Sequence, residues 1–171
     1  MNSLPTNFYR ESAVTLAPKL LGKILCRRIG GKVIRARITE TEAYYGEDDT
    51  ACHASKGRTP RTDVMYAEGG RAYVYLCYGV HEMLNVVTGR EGFPEAVLIR
   101  GIENFNGPGK LTKAFSIDRT LNKENLATSR RLWIEDDGAA LPLCSASKRI
   151  GIAYAQPRDR NRLWRFTIRF S

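Results

Sequence analysis

Val33-Ile34-Arg35-Ala36-Arg37-Ile38-Thr39-Glu40-Thr41-Glu42-Ala43-Tyr44 is the stretch on which the fold turns. Ile34, Ala36 and Ile38 alternate with Arg35, Arg37, Thr39 and Thr41, the period of two that gives a strand one apolar and one wet face. Ile24 to Arg28 precedes it, and Ile29-Gly30-Gly31 between them places adjacent glycines where a tight hairpin needs positive φ. The expectation is strand, turn and long strand. Carried on without a bulge, the same period sets Glu40, Glu42 and Tyr44 on the apolar, inward face. A carboxylate is costly to bury unless paired, so an inward glutamate at a strand end is either the partner of an arginine or a functional group in a pocket.

Working outward, Ser12 to Leu21 reads as a helix with Ser12 as N-cap and Gly22 as terminator, bent or shortened by Pro18. Glu47 to Pro60 has no period and is rich in small and polar residues, so it is a long excursion of the functional kind, with His53 inside it. Ala72 to Cys77, a break at Tyr78-Gly79 and Met83 to Val87 predict a second hairpin whose tip spans residues 78 to 82. Ala96 to Arg100 is a further strand. Gly107-Pro108-Gly109 introduces a short helix, Lys110 to Phe115, and Lys123 to Ala127 predicts another turn of helix. Trp164, Phe166, Ile168 and Phe170 alternate with Arg165, Thr167 and Arg169, which predicts a strand with one buried and one wet face. With no internal repeat, low-complexity segment or linker, residues 1–171 read as a single α+β domain: a curved antiparallel or mixed sheet with peripheral helices.

Composition narrows the class. The 171 residues, 43% hydrophobic, suffice for one core and are too apolar for disorder. The longest apolar runs, such as Ala72 to Tyr78 and Ala96 to Ile99, are far shorter than the roughly 20 residues of a transmembrane helix. Met1 to Thr6 has no basic start and no long apolar stretch follows, so no signal peptide is expected. Cys26, Cys52, Cys77 and Cys144 are scattered and form no C-x-x-C pair, which reads as reduced thiols in an intracellular protein. His53 and His81 are the only histidines, so a structural metal is not expected. A deaminase H-x-E with P-C-x-x-C, a phosphate loop, G-x-G-x-x-G and G-x-S-x-G are all absent, which removes zinc deamination, nucleotide hydrolysis and serine esterase chemistry.

The 27 Lys and Arg against 18 Asp and Glu leave a charge of +9, which favours a polyanionic partner. Lys56, Arg58, Arg61 and Arg71 lie among Gly, Ser, Thr and Pro, the composition of an exposed, phosphate-facing loop. Tyr78 at a hairpin tip has no strand neighbour to pack on. It either folds back on its hairpin or serves as a wedge in a stacked duplex. Tyr44, Tyr75 and His53 are core residues or stacking faces for a base.

Several of these segments coincide with one family. Arg37-Ile38-Thr39-Glu40-Thr41-Glu42-Ala43-Tyr44, His53, Gly57-Arg58-Thr59-Pro60-Arg61, Tyr73-Val74-Tyr75-Leu76-Cys77-Tyr78-Gly79 with Asn85, Val97-Leu98-Ile99-Arg100 and Gly107-Pro108-Gly109-Lys110-Leu111 come in order. Together, and with Arg149-Ile150-Gly151-Ile152 and the last strand, they resemble the alkyladenine (3-methyladenine, methylpurine) DNA glycosylases. The resemblance implies a monofunctional, cofactor-free enzyme that flips a damaged purine out of duplex DNA and hydrolyses its N-glycosidic bond. It implies Glu42 as the general base for water, Arg100 as the group that helps hold that water, and Tyr44, His53 and Tyr75 as the clamp on the flipped base. It further implies Asn85 as a screen against guanine's amino group, Tyr78 as the wedge, and Lys56, Arg58 and Arg61 on the DNA backbone. Such a protein is expected to be monomeric and, since the resemblance is closer to bacterial members, cytoplasmic or nucleoid-associated. Val80-His81 departs from the bulkier residues that many members carry after the wedge. Two rivals stand beside this reading: a non-catalytic nucleic-acid-binding module with Glu42 in a structural role, and an unrelated transferase or RNA-processing enzyme on a similar sheet. Release of a base from damaged DNA separates them.

Overall fold

The computed structural model describes residues 2–170. In chain order the elements are β1 (Asn2–Ser3), α1 (Ala13–Leu20), β2 (Ile24–Ile29), β3 (Lys32–Tyr45), β4 (Ala72–Cys77), β5 (His81–Val87), β6 (Glu95–Ile102), β7 (Phe105–Asn106), α2 (Pro108–Ala114), β8 (Leu132–Asp136), β9 (Cys144–Ser147), α3 (Pro157–Arg160) and β10 (Arg165–Ile168). The strands form one sheet in the order β1-β8-β2-β3-β6-β5-β4, with β7 added to β6, β10 to β3 and β9 to β10. Every pairing is antiparallel. The architecture is the curved antiparallel sheet with few helices that the sequence predicts. Among the described residues no helix is long and apolar enough to cross a membrane.

β3 is the spine. Its first half pairs with β2, closed by Gly30 and Gly31 at φ of 51° and 82°, and its second half runs between β6 and β10. One face of the sheet buries α1 and α2 in the main core, where Leu16, Leu20, Ile38, Leu84, Ile99 and Leu111 are all 1% exposed or less. Each such side chain contributes roughly 1.5–3 kcal/mol by leaving water. Ser12 caps α1 by accepting from Thr15 N, and the Glu95 carboxylate reaches across to accept from Ala13 N at 2.6 Å. Pro18 sits inside α1, which ends two residues later, and Gly22 at φ 83° turns the chain into β2.

The period of β3 breaks where the continuous reading carried it through. The β3–β6 register is irregular between Ile38 and Thr41. Gly101 permits the close crossing there, since a Cβ on it would lie 2.9 Å from Thr39 Oγ1. Beyond the break Thr41 and Ala43 take over the core face, Thr41 Oγ1 donating to Ala17 O of α1. Glu40, Glu42 and Tyr44 therefore point to the opposite face from Ile38. They are inward all the same: Glu42 and Tyr44 are covered by the residue 46–71 excursion and the segment after β9, and Glu40 is buried against Arg100 and Arg165.

Three further expectations change, and strands form that the sequence pattern did not announce. Lys123–Ala127 is not helical: Asn125 Oδ1 accepts from Ala127 N at 3.0 Å, the local side-chain bond by which asparagine favours a turn. β8 and β9 carry no period-two alternation of their own, and they become strands through pairing with β2 and β10. The second hairpin is tighter than residues 78 to 82, because β5 already begins at His81. β10 ends at Ile168, leaving Phe170 exposed, and Arg165 on its supposedly wet face is held by a buried carboxylate.

Candidate active site

Four strands converge on the second face of the sheet. β3 brings Glu42 and Tyr44, β4 and β5 bring Tyr73, Tyr75 and Asn85, and β6 brings Leu98 and Arg100. The excursion folds over them through two 3₁₀ turns, His53–Lys56 and Asp63–Tyr66, anchored by a small core of Cys52, Ala54, Val64, Met65 and Tyr66. The result is a cavity of about 390 Å³ whose rim includes Tyr78, Ile150 and Tyr154. One wall is aromatic. The His53 and Tyr75 rings stand 4.6 Å apart edge to face, Tyr73 and Tyr75 lie 5.2 Å apart, and Arg61 stacks over Tyr75 at 4.9 Å.

Glu42 is fully buried just behind the cavity wall, covered by three residues that line it. Its Oε2 accepts from Tyr44 Oη at 2.7 Å, its Oε1 accepts from Ile150 N at 2.7 Å, and Arg100 Nε lies 3.6 Å from Oε1. Burial pushes the carboxyl pKa up, against the pull of Arg100, the Ile150 N–H and the Tyr44 hydroxyl. The outcome is a carboxylate more basic than usual. His53 moves the other way: desolvation, with Arg61 and Lys56 nearby, lowers its pKa to about 4, so the ring is neutral near pH 7. Its Nδ1 lies 2.9 Å from the Tyr73 hydroxyl.

The loop that supplies the Ile150 N–H is pinned by its neighbour. Arg149 is fully buried, donates to both oxygens of Asp49 at 2.7 and 2.9 Å and to Ala43 O, and lies between the Tyr44 and Trp164 rings at 4.8 and 5.0 Å. Asn85 Nδ2 donates to Tyr73 O, which ties the amide to its partner strand. Tyr78 stands at the tip of the β4–β5 hairpin with 91% of its surface exposed and φ of 51°, next to Gly79 at 66° and the exposed Val80. Left-handed backbone is disfavoured for a bulky side chain, so the turn holds an aromatic in solvent at a local cost.

Of the residues singled out from sequence, Tyr44, His53, Tyr75, Asn85 and Arg100 line the one cavity, Glu42 backs it and Tyr78 overhangs it. The three basic loop residues separate. Arg61 lies on the cavity wall, whereas Arg58 pairs with Asp63 at 2.8 Å and stacks on Tyr66, and Lys56 is exposed at the end of its turn. Sequence reading assigned no role to Tyr73, Arg149, Ile150 or Tyr154. Tyr73, Arg149 and Ile150 lie inside motifs read for other members, and Tyr154 lies in none; the part of Ile150 is carried by a backbone N–H, which has no residue type. Among the described residues, no group of three or more His, Cys, Asp and Glu could hold a metal ion.

Residues 7–171 match the family model described as Methylpurine-DNA glycosylase (MPG). Curated relatives share close to half their residues with this chain. One from Borrelia garinii subsp. bavariensis is 48% identical over 95% of this chain and 94% of its own length. One from Psychrobacter cryohalolentis is 46% identical over 88% and 84%, and one from Methanocella arvoryzae 44% over 97% and 92%. Each of the three carries the name "Putative 3-methyladenine DNA glycosylase". With the motifs in order, the sheet built and the aromatic cavity formed around Glu42, this chain belongs to the methylpurine-DNA glycosylase family.

Proposed function

We propose that this protein is a monofunctional DNA glycosylase that excises alkylated or deaminated purines, of the 3-methyladenine, 7-methylguanine, hypoxanthine and ethenoadenine type, from duplex DNA. The observation that carries the reading is a fully buried carboxylate of raised basicity at the wall of an aromatic cavity, beneath an exposed aromatic on a strained turn.

A base inside a duplex is out of reach of Glu42, so the nucleotide must leave the stack, at a cost of a few kcal/mol. Tyr78 offsets part of that cost by filling the gap, as apolar and aromatic wedges do between base steps. The +9 charge holds the backbone, with Arg61 at the cavity mouth and Lys56 and Arg58 further out. Inside, Tyr44, His53 and Tyr75, which line the same cavity, clamp the base, and Asn85 meets its edge. A purine alkylated at N3 or N7 is cationic, and π faces beside a neutral imidazole attract it.

A carboxylate offers about four acceptor positions. Tyr44 and Ile150 occupy two at Glu42, which leaves room for a water held between Glu42 and Arg100. That water attacks the sugar C1′ and passes a proton to Glu42. The C1′–N bond breaks, its electron pair goes to the purine, and an abasic site remains. No lysine lines the cavity, so the amine that Schiff-base strand cleavage needs is not at hand. The protein acts as a monomer in this scheme.

Duplexes carrying one hypoxanthine, and methylated genomic DNA, are incubated with the protein and a chelator, and free base and alkali-labile sites are scored. The expected result is metal-independent release by the wild type and release slowed by roughly 10²–10⁴ in Glu42→Gln. Duplex binding with no release from either substrate would replace this reading with the non-catalytic binding module.

A further inference from the structure

Arg100 faces two carboxylates and gives its hydrogen bond to the one that the reaction does not use. Its Nε–H donates to Glu40 Oε1 at 3.2 Å, while Glu42 Oε1 stands at 3.6 Å, beyond hydrogen-bond range. Glu40 is only 6% exposed, and the same Oε1 accepts from Arg165 Nε at 2.5 Å. Arg165 sits opposite Glu42 in the β3–β10 register, yet its guanidinium goes to Glu40. Glu40 and Glu42, two residues apart on β3, share one side, and the break turns that side away from the face of Ile38, with β6 and β10 on either flank.

We infer that Glu40 is a positioning residue for base excision: it clamps Arg100 through Nε and withholds part of that arginine's charge from Glu42. The inference rests on the proposed reaction and deepens it. A guanidinium paired squarely with the general base would stabilise the carboxylate and weaken it as a proton acceptor. Held by Glu40, Arg100 stays close enough to orient a water, with its two terminal nitrogens free of hydrogen bonds to the described residues. Arg165 completes the balance by supplying Glu40 with a second cation, so two adjacent buried carboxylates face two arginines. The other groups that face Glu42 are Tyr44 on its own strand and Arg149 from the segment after β9, and His53 and Arg61 stand among the cavity's other lining residues. None of these touches Glu40, so the two charges on either side of it can be changed separately.

The test is the acid limb of the single-turnover rate on a duplex with one 7-methylguanine, whose ring is already cationic, so that limb reports the enzyme's base. Glu40→Gln removes a negative neighbour and frees Arg100 for Glu42. Its acid midpoint is expected to move down by about one pH unit, with a rate about tenfold lower at neutral pH. Arg165→Gln leaves Glu40 to draw harder on Arg100, and its midpoint is expected to move up. Both residues border a second hollow of about 730 Å³, so water can reach whichever partner is left. Thermal melts and duplex affinity are measured for both variants. Opposite shifts support the inference. An unmoved midpoint in Glu40→Gln, or shifts of the same sign in the two variants, would overturn it. Absence of base release by the wild type would instead defeat the proposed reaction, and release by Glu42→Gln at close to the wild-type rate would defeat the assignment of the base.

Discussion

The wall behind the cavity and the tip above it are built on opposite principles. At the wall, Glu42 is wholly buried and hydrogen-bonded by Tyr44 and Ile150, with Arg100 3.6 Å away and the Arg149–Asp49 pair pinning the loop that carries Ile150. At the tip, Tyr78 is almost wholly exposed on a three-residue turn between the paired Cys77 and His81, with positive φ at Tyr78 and Gly79. The wall is preorganised, which suits a group whose task is fixed before substrate arrives. The tip is presented, which suits a group whose partner is a gap that opens only in the complex. If that contrast is right, substitutions at the wall should alter rate or stability and leave encounter with DNA intact, whereas substitutions at the tip should do the reverse.

The largest effect is expected at Glu42. Glu42→Gln keeps the shape and removes the proton acceptor, so the single-turnover excision rate should fall by roughly 10²–10⁴, with duplex affinity unchanged, as a quench and a binding titration would measure. Next comes Arg149→Met, which leaves Asp49 buried without its guanidinium. Unfolding in denaturant should show a loss of about 3–5 kcal/mol, because breaking a buried pair strands the other charge. The tip should be quieter. Tyr78→Ser is expected to weaken binding to a damaged duplex by about tenfold, since base stacking on an aromatic is worth ~1–3 kcal/mol. Its melting temperature should match the wild type, and a large drop there would show that the tip is structural after all. A further effect, seen only in the pH profile, concerns His53, whose pKa is depressed to about 4. Below pH 6.5 the unfolded chain takes up a proton there that the folded chain refuses, so stability should decline as pH falls from 6.5 toward 4, and His53→Gln should flatten that part of the stability profile.

The contrast also explains what the sequence disclosed. The tip was legible locally: Tyr78-Gly79 between two apolar runs is a turn wherever it occurs, and an aromatic with no strand neighbour is odd on its face. The hairpin of β2 and β3, α1 with its Ser12 cap and the length of the excursion were legible for the same reason. The wall was not. A strict period put Glu42 on the face of Ile38, and the structure places it on the other, because Gly101 on a strand some 60 residues away lets the two strands cross closely enough to break the register. β8 and β9 were invisible to periodicity because their strand state comes from partners. Ile150 and Arg149 act through a backbone N–H and a buried fork that only the folded chain brings to Glu42. Lys56, Arg58 and Arg61 looked alike as a basic run, yet Asp63 and Tyr66 occupy Arg58 while Tyr75 draws Arg61 to the cavity.

The most direct test of the division between wall and tip is a crystal structure of Glu42→Gln bound to a duplex with a single hypoxanthine. The account predicts the base inside the cavity between Tyr44 and the His53–Tyr75 wall, a water between residue 42 and Arg100, and the Tyr78 ring in the vacated place in the stack. A base still paired in the helix with Tyr78 in solvent, or a flipped base lodged away from Glu42, would contradict it.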